Sequence, residues 1–227
     1  MIFAGGTGSR ISKSDIPKQF IEINGKPIII HTLEYFNDHE QIDDITVVCL
    51  REWITELRRL IKQFNINKVN CIIPGGETGY ESIDLGLRQI KRNNEEKDIV
   101  LICDGVRPVL SEKLISECIC NTEKYGNAVP VTRSIDSILI SSDGKTVENN
   151  LPRERVYITQ APQGYILKDI FEAHQEAQLN GIKDPVSSAD LLVQLNKNVF
   201  IFEGERSNIK VTTDEDLDVV KLYLSDN

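Results

Sequence analysis

Short apolar runs alternate with longer stretches of helical periodicity along this chain. Residues 45–50 (ITVVCL), 69–73 (VNCII), 98–103 (DIVLIC), 128–131 (AVPV) and 199–202 (VFIF) are apolar with little alternation, the pattern of strands buried on both faces. Between and around them, residues 28–36, 53–64, 81–92, 111–125, 167–179 and 216–224 repeat apolar positions at helical spacing. Ser111-Glu112 is a plausible helix start, and Thr213-Asp214-Glu215-Asp216 resembles a capping box ahead of the last helix. Strand–helix alternation of this kind predicts an α/β fold with a doubly wound, mostly parallel, Rossmann-like sheet. The rhythm breaks between 138 and 157. Two short β-like pieces flank Ser142-Asp143-Gly144-Lys145, and Asp-Gly is a strong hairpin turn, so a projecting β-arm is expected at about 138–156.

Composition adds bounds. At 227 residues, with no repeat, low-complexity stretch or linker, the chain is expected to form a single domain spanning 1–227. Hydrophobic residues at 40% and charged residues at 27% are ordinary for a globular protein. The net charge of −9, with no Lys/Arg run, argues against nucleic acid as a partner. No segment reads as membrane-spanning and the first residues carry no signal-peptide pattern. The cysteines are Cys49, Cys71, Cys103, Cys118 and Cys120, an odd number without a CxxC pair, which suits reduced thiols. A cytoplasmic location is expected. His31, His39 and His174 stand apart and do not read as a metal set.

The chemistry concentrates in a few loops. Phe3-Ala4-Gly5-Gly6-Thr7-Gly8-Ser9-Arg10, followed by Pro17-Lys18-Gln19-Phe20, joins a glycine-rich turn to two cations. Glycines let the backbone close on a ligand with N–H groups exposed, and Arg10 and Lys18 suit it to a polyanion such as a nucleoside triphosphate. It is neither a Walker A loop nor a dinucleotide fingerprint. Gly75-Gly76 and Asp104 each follow a predicted strand, and ligands of open α/β sheets bind beyond the carboxyl ends of strands.

AGGxGxR…PKQF is similar to the opening of the sugar-phosphate nucleotidyltransferases. It most resembles the cytidylyltransferases that act on ribitol 5-phosphate and on 2-C-methyl-D-erythritol 4-phosphate. Other segments agree: Gly75-Gly76-Glu77 through Ser82 with GGxxRxxS, Asp104-Gly105-Val106-Arg107-Pro108 with DAxRP, Asp136-Ser137 with Asp-Thr, Thr159-Gln160-Ala161-Pro162-Gln163 with xTPQ, and Asn208-Ile209-Lys210-Val211-Thr212 with NIKxT.

The resemblance implies the fold of the nucleotide-diphospho-sugar transferases and CTP plus a small phosphorylated polyol as substrates. It implies Mg²⁺, or another divalent cation, and a homodimer joined through the arm. Arg10, Lys18, Arg153 and Lys210 are then the catalytic cations. Phe3 to Gly8, Gly75, Gly76, Glu77, Ser82, Asp104 and Gly105 contact the nucleotide. Asp104, Arg107, Ser137, Arg153 and Lys210 contact the acceptor, with Asp104 also near the metal. Only Met1 and Ile2 precede the glycine motif, where the resemblance leads one to expect a few more apolar residues.

Several positions depart from the pattern. Gly79 stands where the motif has Arg, Cys103 for His, Ala161 for Thr, and Ser187-Ser188-Ala189-Asp190 for a TDDAS-like segment. Leu139 stands where methylerythritol enzymes carry a basic residue. Val106 and Ser137-Ile138-Leu139 follow the ribitol-type pattern better, so ribitol 5-phosphate is the expected acceptor, with methylerythritol 4-phosphate of isoprenoid synthesis as the alternative. A non-catalytic nucleotide-binding module is the competing class, and the retention of Arg10, Lys18 and Lys210 argues against it.

Overall fold

The computed structural model describes residues 1–6 and 16–225. Strand β1 (Ile2–Ala4) opens the chain. A 3₁₀ turn at Lys18–Phe20, the small antiparallel ribbon β2 (Glu22–Ile23) and β3 (Lys26–Pro27), and helix α1 (Ile28–Asp38) follow. Then come β4 (Ile45–Cys49), α2 (Ile54–Gln63), β5 (Val69–Pro74), α3 (Gly79–Lys91), β6 (Ile99–Asp104), α4 (Glu112–Tyr125) and β7 (Asn127–Arg133). The arm is β8 (Ile138–Ile140) paired antiparallel with β9 (Asn149–Leu151). The rest is β10 (Tyr157–Thr159), β11 (Gln163–Ile166), α5 (Leu167–Leu179), α6 (Ser188–Gln194), β12 (Ile201–Glu203) and α7 (Asp214–Ser225).

The main sheet runs β10-β7-β11-β6-β1-β4-β5, with β12 also on β7. β5, β4, β1 and β6 are mutually parallel, and β12 is parallel to β7; β11 is antiparallel to β6 and β7, and β10 to β7. Successive residues of the parallel strands feed opposite layers. Ile2, Ala4, Val47, Cys49, Leu101 and Cys103 join the core with α1, α2 and α4. Met1, Val48, Val100 and Ile102 join the other, with α3, α5 and α6. That two-sided burial explains the near-continuous apolar runs. α7 closes a smaller cluster over Ile23, Val106 and Val211.

Helix starts follow their caps. Thr78 accepts from Glu81 N–H and Ser111 from Leu114 N–H, while α4 ends on Gly126 at φ +83. Asp216 accepts from the backbone of Thr212 and Thr213, as the capping-box reading expects. No described helix is long and apolar enough to cross a membrane. Strands β10 and β11 and helix α6 were not among the predicted elements.

Candidate active site

β1 lies between β4 and β6, so its carboxyl end delivers Gly5 and Gly6 to the middle of the sheet edge. Gln19 holds that turn. Its Nε2 donates to the carbonyls of Ala4 at 2.8 Å and Gly6 at 3.2 Å. Phe20 next to it is buried and stacks on Trp53, ring centroids 4.5 Å apart. This fixes the 3₁₀ turn that carries Lys18 beside the glycines. Thr7, Gly8 and Arg10 lie outside the described residues.

The second loop leaves β5. Gly75 N–H donates to Cys49 O, and Gly76 N–H donates to Ser82 Oγ at 3.1 Å. Glu77 N–H donates to the Glu81 carboxylate at 2.8 Å. A Cβ on Gly76 would come within 2.5 Å of the Glu81 Cβ, and one on Gly75 within 2.9 Å of Ser82 Oγ. Bare backbone is therefore required where the loop folds onto the first turn of α3. Ser82, read from sequence as a nucleotide contact, is 2% exposed, and its hydroxyl braces the loop from beneath.

The third element is the end of β6. Asp104 carries Lys210 Nζ on Oδ1 at 2.7 Å and Arg107 Nε on Oδ2 at 2.9 Å. Burial works to raise the Asp104 pKa, but the charges and hydrogen bonds of Arg107 and Lys210 outweigh it and hold the carboxyl below its ordinary value. Arg107 also donates to the Asn208 carbonyl and side chain, and Asn208 Nδ2 donates to Ala161 O at 2.7 Å. Gln160 Nε2 reaches Glu205 O. Three distant segments thus meet behind Asp104, with Arg107 at the buried centre. Lys210 is the more exposed cation, its side chain 43% accessible. Gly105 N–H donates to Phe3 O, tying this turn to the glycine loop. Cys103 faces inward, and burial pushes its thiol up to about 12, so no group titrating near neutrality occupies that position.

A cleft of about 400 Å³ opens beside the end of β6 and the start of α3, with Phe3, Tyr80, Asp104, Arg107, Gln163 and Lys210 on its walls; Gly5, Gly6, Gly75 and Gly76 border it without lining it. Five of the positions that depart from the sequence motif line it too: Gly79, Cys103, Ala161, Ser187 and Ser188. A larger cavity of about 570 Å³ sits at the amino ends of the strands, but it sets Asp43, Asp44, Asp98 and Glu123 against Lys97 and is unsuited to a polyanion. Ser137 and Arg153 are exposed on the arm, 3.3 Å from each other, and neither lines the cleft of its own chain. Among the described residues, no three His, Cys, Asp or Glu side chains are grouped to hold a metal.

The model of the 2-C-methyl-D-erythritol 4-phosphate cytidylyltransferase family, IspD, matches residues 1–226. The chain belongs to this family of cytidylyltransferases. A ribitol-5-phosphate cytidylyltransferase of Streptococcus agalactiae is 38% identical over 221 residues, 97% of this chain and 92% of the relative. A 2-C-methyl-D-erythritol 4-phosphate cytidylyltransferase of Clostridium botulinum is 36% identical over 217 residues, covering 96% and 93%. The crystal structure of 4-diphosphocytidyl-2C-methyl-D-erythritol synthase from Anaerococcus prevotii superposes with a TM-score of 0.83 at 27% identity, covering 99% and 96%. In this cytidylyltransferase the glycine turn, the Gly75–Gly76 loop and the Asp104–Lys210 pair lie together at the carboxyl ends of the strands. Ser137 and Arg153 lie apart from them, on the arm. Sequence reasoning missed Tyr80, which lines the cleft and stacks on His174, and Asp184, which lines the 184–188 wall. The only signal for the latter was an Asp-Pro turn dipeptide.

Proposed function

We propose that this enzyme transfers the cytidylyl group of CTP to ribitol 5-phosphate, giving CDP-ribitol and pyrophosphate. An oxygen of the acceptor phosphate attacks the α-phosphorus of CTP; the new P–O bond forms as the bond to the β-phosphate bridging oxygen breaks. The acceptor oxygen is already anionic at neutral pH, so no general base is needed, and positioning and cations carry the catalysis. The observation that carries this reading is the Asp104–Lys210 pair beside the glycine turn. Asp104 takes one of the three donors of the Lys210 ammonium and aims it, leaving the charge for a phosphate. Arg10 and Lys18 serve the α-phosphate and the leaving group, and the loop from Gly75 to Glu77 receives the base and ribose.

Asp104 is a poor metal ligand, because both its oxygens are engaged by cations. A divalent ion would enter bound to the triphosphate, in keeping with the preference of Mg²⁺ for phosphate and water.

Arg153 and Ser137 act in this reading on the neighbouring protomer of a homodimer. The arm and the segments that flank it expose Ile135 (60%), Leu139 (57%), Val147 (61%) and Ile158 (53%). A two-stranded ribbon with so much exposed apolar surface needs a partner to be stable. Sedimentation at micromolar concentration tests this, and a monomer would refute it.

Pyrophosphate release with CTP and a panel of phosphorylated polyols tests the activity. Ribitol 5-phosphate should show the highest kcat/KM. A higher value for methylerythritol 4-phosphate, the substrate in the name of the family model, would reverse the acceptor assignment. No release with any acceptor would leave a nucleotide-binding module.

A further inference from the structure

The reading above uses the charged groups of the cleft and leaves its apolar surface without a task. Phe3, Tyr80, Ile83 and Ile102 supply that surface. Register explains how they meet. Phe3 of β1 is the partner of Asp104 on β6, so the two side chains leave the same face of the sheet side by side. Ile102, two residues before Asp104, lies on that face as well. Tyr80 and Ile83, three residues apart on α3, join them from the helix layer. Phe3 and Tyr80 are only half-buried, so their rings are open to the cleft. Gly79 leaves Phe3 uncovered: a Cβ built there would lie 3.7 Å from Phe3 Cζ, so the arginine of the sequence motif would begin over the ring. Tyr80 is held from behind. Its ring stacks on His174, centroids 4.9 Å apart and 10° from parallel, and its hydroxyl donates to the His174 carbonyl at 3.2 Å. His174 is 1% exposed and does not line the cleft. Among the described residues, neither of its ring nitrogens has a hydrogen-bond partner, nor has Oδ1 of Asp84, 3.8 Å away. Buried polar atoms are paired in the great majority of cases, so an imidazole kept here unpaired calls for a task, and the one in view is to hold Tyr80.

We infer that Phe3 and Tyr80 form an aromatic floor on which the acceptor lays the carbon–hydrogen face of its chain, with His174 as the positioning residue behind Tyr80. This rests on the proposed transfer to a phosphorylated polyol. Every carbon of a polyol chain carries C–H bonds, and the negative face of an aromatic ring suits their slight positive charge while burying apolar area. A triphosphate offers no such surface. Gly5, Gly6, Gly75 and Gly76 border the cleft without lining it, which puts the floor on the acceptor's side of the site. Phe3 stands beside Asp104, which holds Lys210, so a phosphate on that ammonium brings the acceptor's carbons over the ring. The bare backbone at Gly79 makes the room. The departure from arginine at that position and the appearance of Tyr80 next to it thus serve one end.

Steady-state kinetics on the full-length enzyme, each substrate varied with the other saturating, test this. Wild type is first assayed on ribitol 5-phosphate and methylerythritol 4-phosphate, which decides the acceptor separately. Variants are then assayed on the better acceptor. Tyr80→Ala should raise KM for the acceptor about fivefold to tenfold, the worth of about 50 Å² of apolar contact, with kcat and KM for CTP near wild type. Tyr80→Phe keeps the ring and should stay close to wild type. Gly79→Leu covers Phe3 and should raise the same KM, whereas the Cβ of Gly79→Ala meets only ordinary contact and should not. His174→Ala should raise it too, and His174→Phe, which restores the stack, should recover most of the loss. Gly79 is exposed, so its variants report on binding even if a change at Tyr80 or His174 disturbs folding. Wild-type acceptor KM in Tyr80→Ala and Gly79→Leu, or a rise in KM for CTP in its place, would overturn the floor. A loss in His174→Ala that His174→Phe fails to recover would remove His174 from the positioning role.

Discussion

Arg107 and Lys210 both hold Asp104, yet their removal should have opposite signatures. The Arg107 side chain is 7% exposed and bonds Asp104 and both the carbonyl and side chain of Asn208. Arg107→Ala deletes one partner of a buried pair and strips the Asn208 carbonyl of a donor. Breaking a buried pair in this way costs about 3–5 kcal/mol. For a chain of 227 residues each kcal/mol lowers Tm by about 2–4 °C, so the melt should fall by about 6–20 °C. Arg107→Lys should recover little, because a point-charge ammonium cannot span Asp104 and Asn208 as the planar guanidinium does. The Lys210 side chain is 43% exposed, and solvent screening limits its pair with Asp104 to under about 1 kcal/mol. Lys210→Ala should melt within a few degrees of wild type and yet lose about 10²–10³ in kcat, as when a preorganised charge at the reacting centre is removed. Scanning calorimetry and pyrophosphate release on the same preparations provide both numbers. Arg107→Ala that melts like wild type while losing turnover would show that Arg107 is a substrate group and that the clamp reasoning is wrong.

Three other outcomes are expected. Arg10→Ala or Lys18→Ala should lower turnover about 10²–10³-fold, some 3–4 kcal/mol in the barrier, with an unchanged circular dichroism spectrum; wild-type rates in either would remove it from the catalytic set. Gly76→Ala should force Glu81 and the start of α3 aside and raise KM for CTP with little effect on KM for the acceptor, which initial-rate kinetics resolve. His174 is 1% exposed against Asp84, Arg88 and Tyr80, and burial lowers its pKa to about 4 from 6.5. The unfolded chain therefore binds a proton between pH 6.5 and 4 that the folded chain refuses, so stability is full above pH 6.5 and falls on acidification by about 3 kcal/mol in all. Urea midpoints at pH 7 and pH 5 should diverge in wild type and much less in His174→Phe; equal divergence would place the effect elsewhere.

The parallel half of the sheet was legible because burial on both faces leaves short apolar runs such as ITVVC between the helical stretches. The arm was legible from Asp143-Gly144, which turns at φ +67 on the glycine. β10 and β11 were not. Each is short, β11 follows a proline and contains Gly164, and their places come from pairing with β7 and β6 rather than from local preference. The same applies in the cleft. Glycine turns and the strand-end Asp104 announce themselves in sequence. The division of labour between Arg107 and Lys210 does not, since it turns on Asn208, a hundred residues away. That Ser82 also braces the loop was not legible, because it depends on Gly76 N–H pointing at its hydroxyl.

The knot at Asn208 has a consequence for how the enzyme comes into being on the ribosome. Synthesis runs from the N-terminus at about 5–20 residues per second, and early segments begin to fold before late ones exist. The glycine turn, the Gly75 loop and Asp104 belong to the first half of the chain. Arg107 finds its second partner, Ala161 its donor and Asp104 its lysine only when residues 208–210 emerge. A nascent chain halted before that point holds the glycine turn and the Gly75 loop and lacks Lys210, the cation proposed for the acceptor. On the proposed reading, the chemistry is therefore complete only when one of the last segments of the chain has joined the rest.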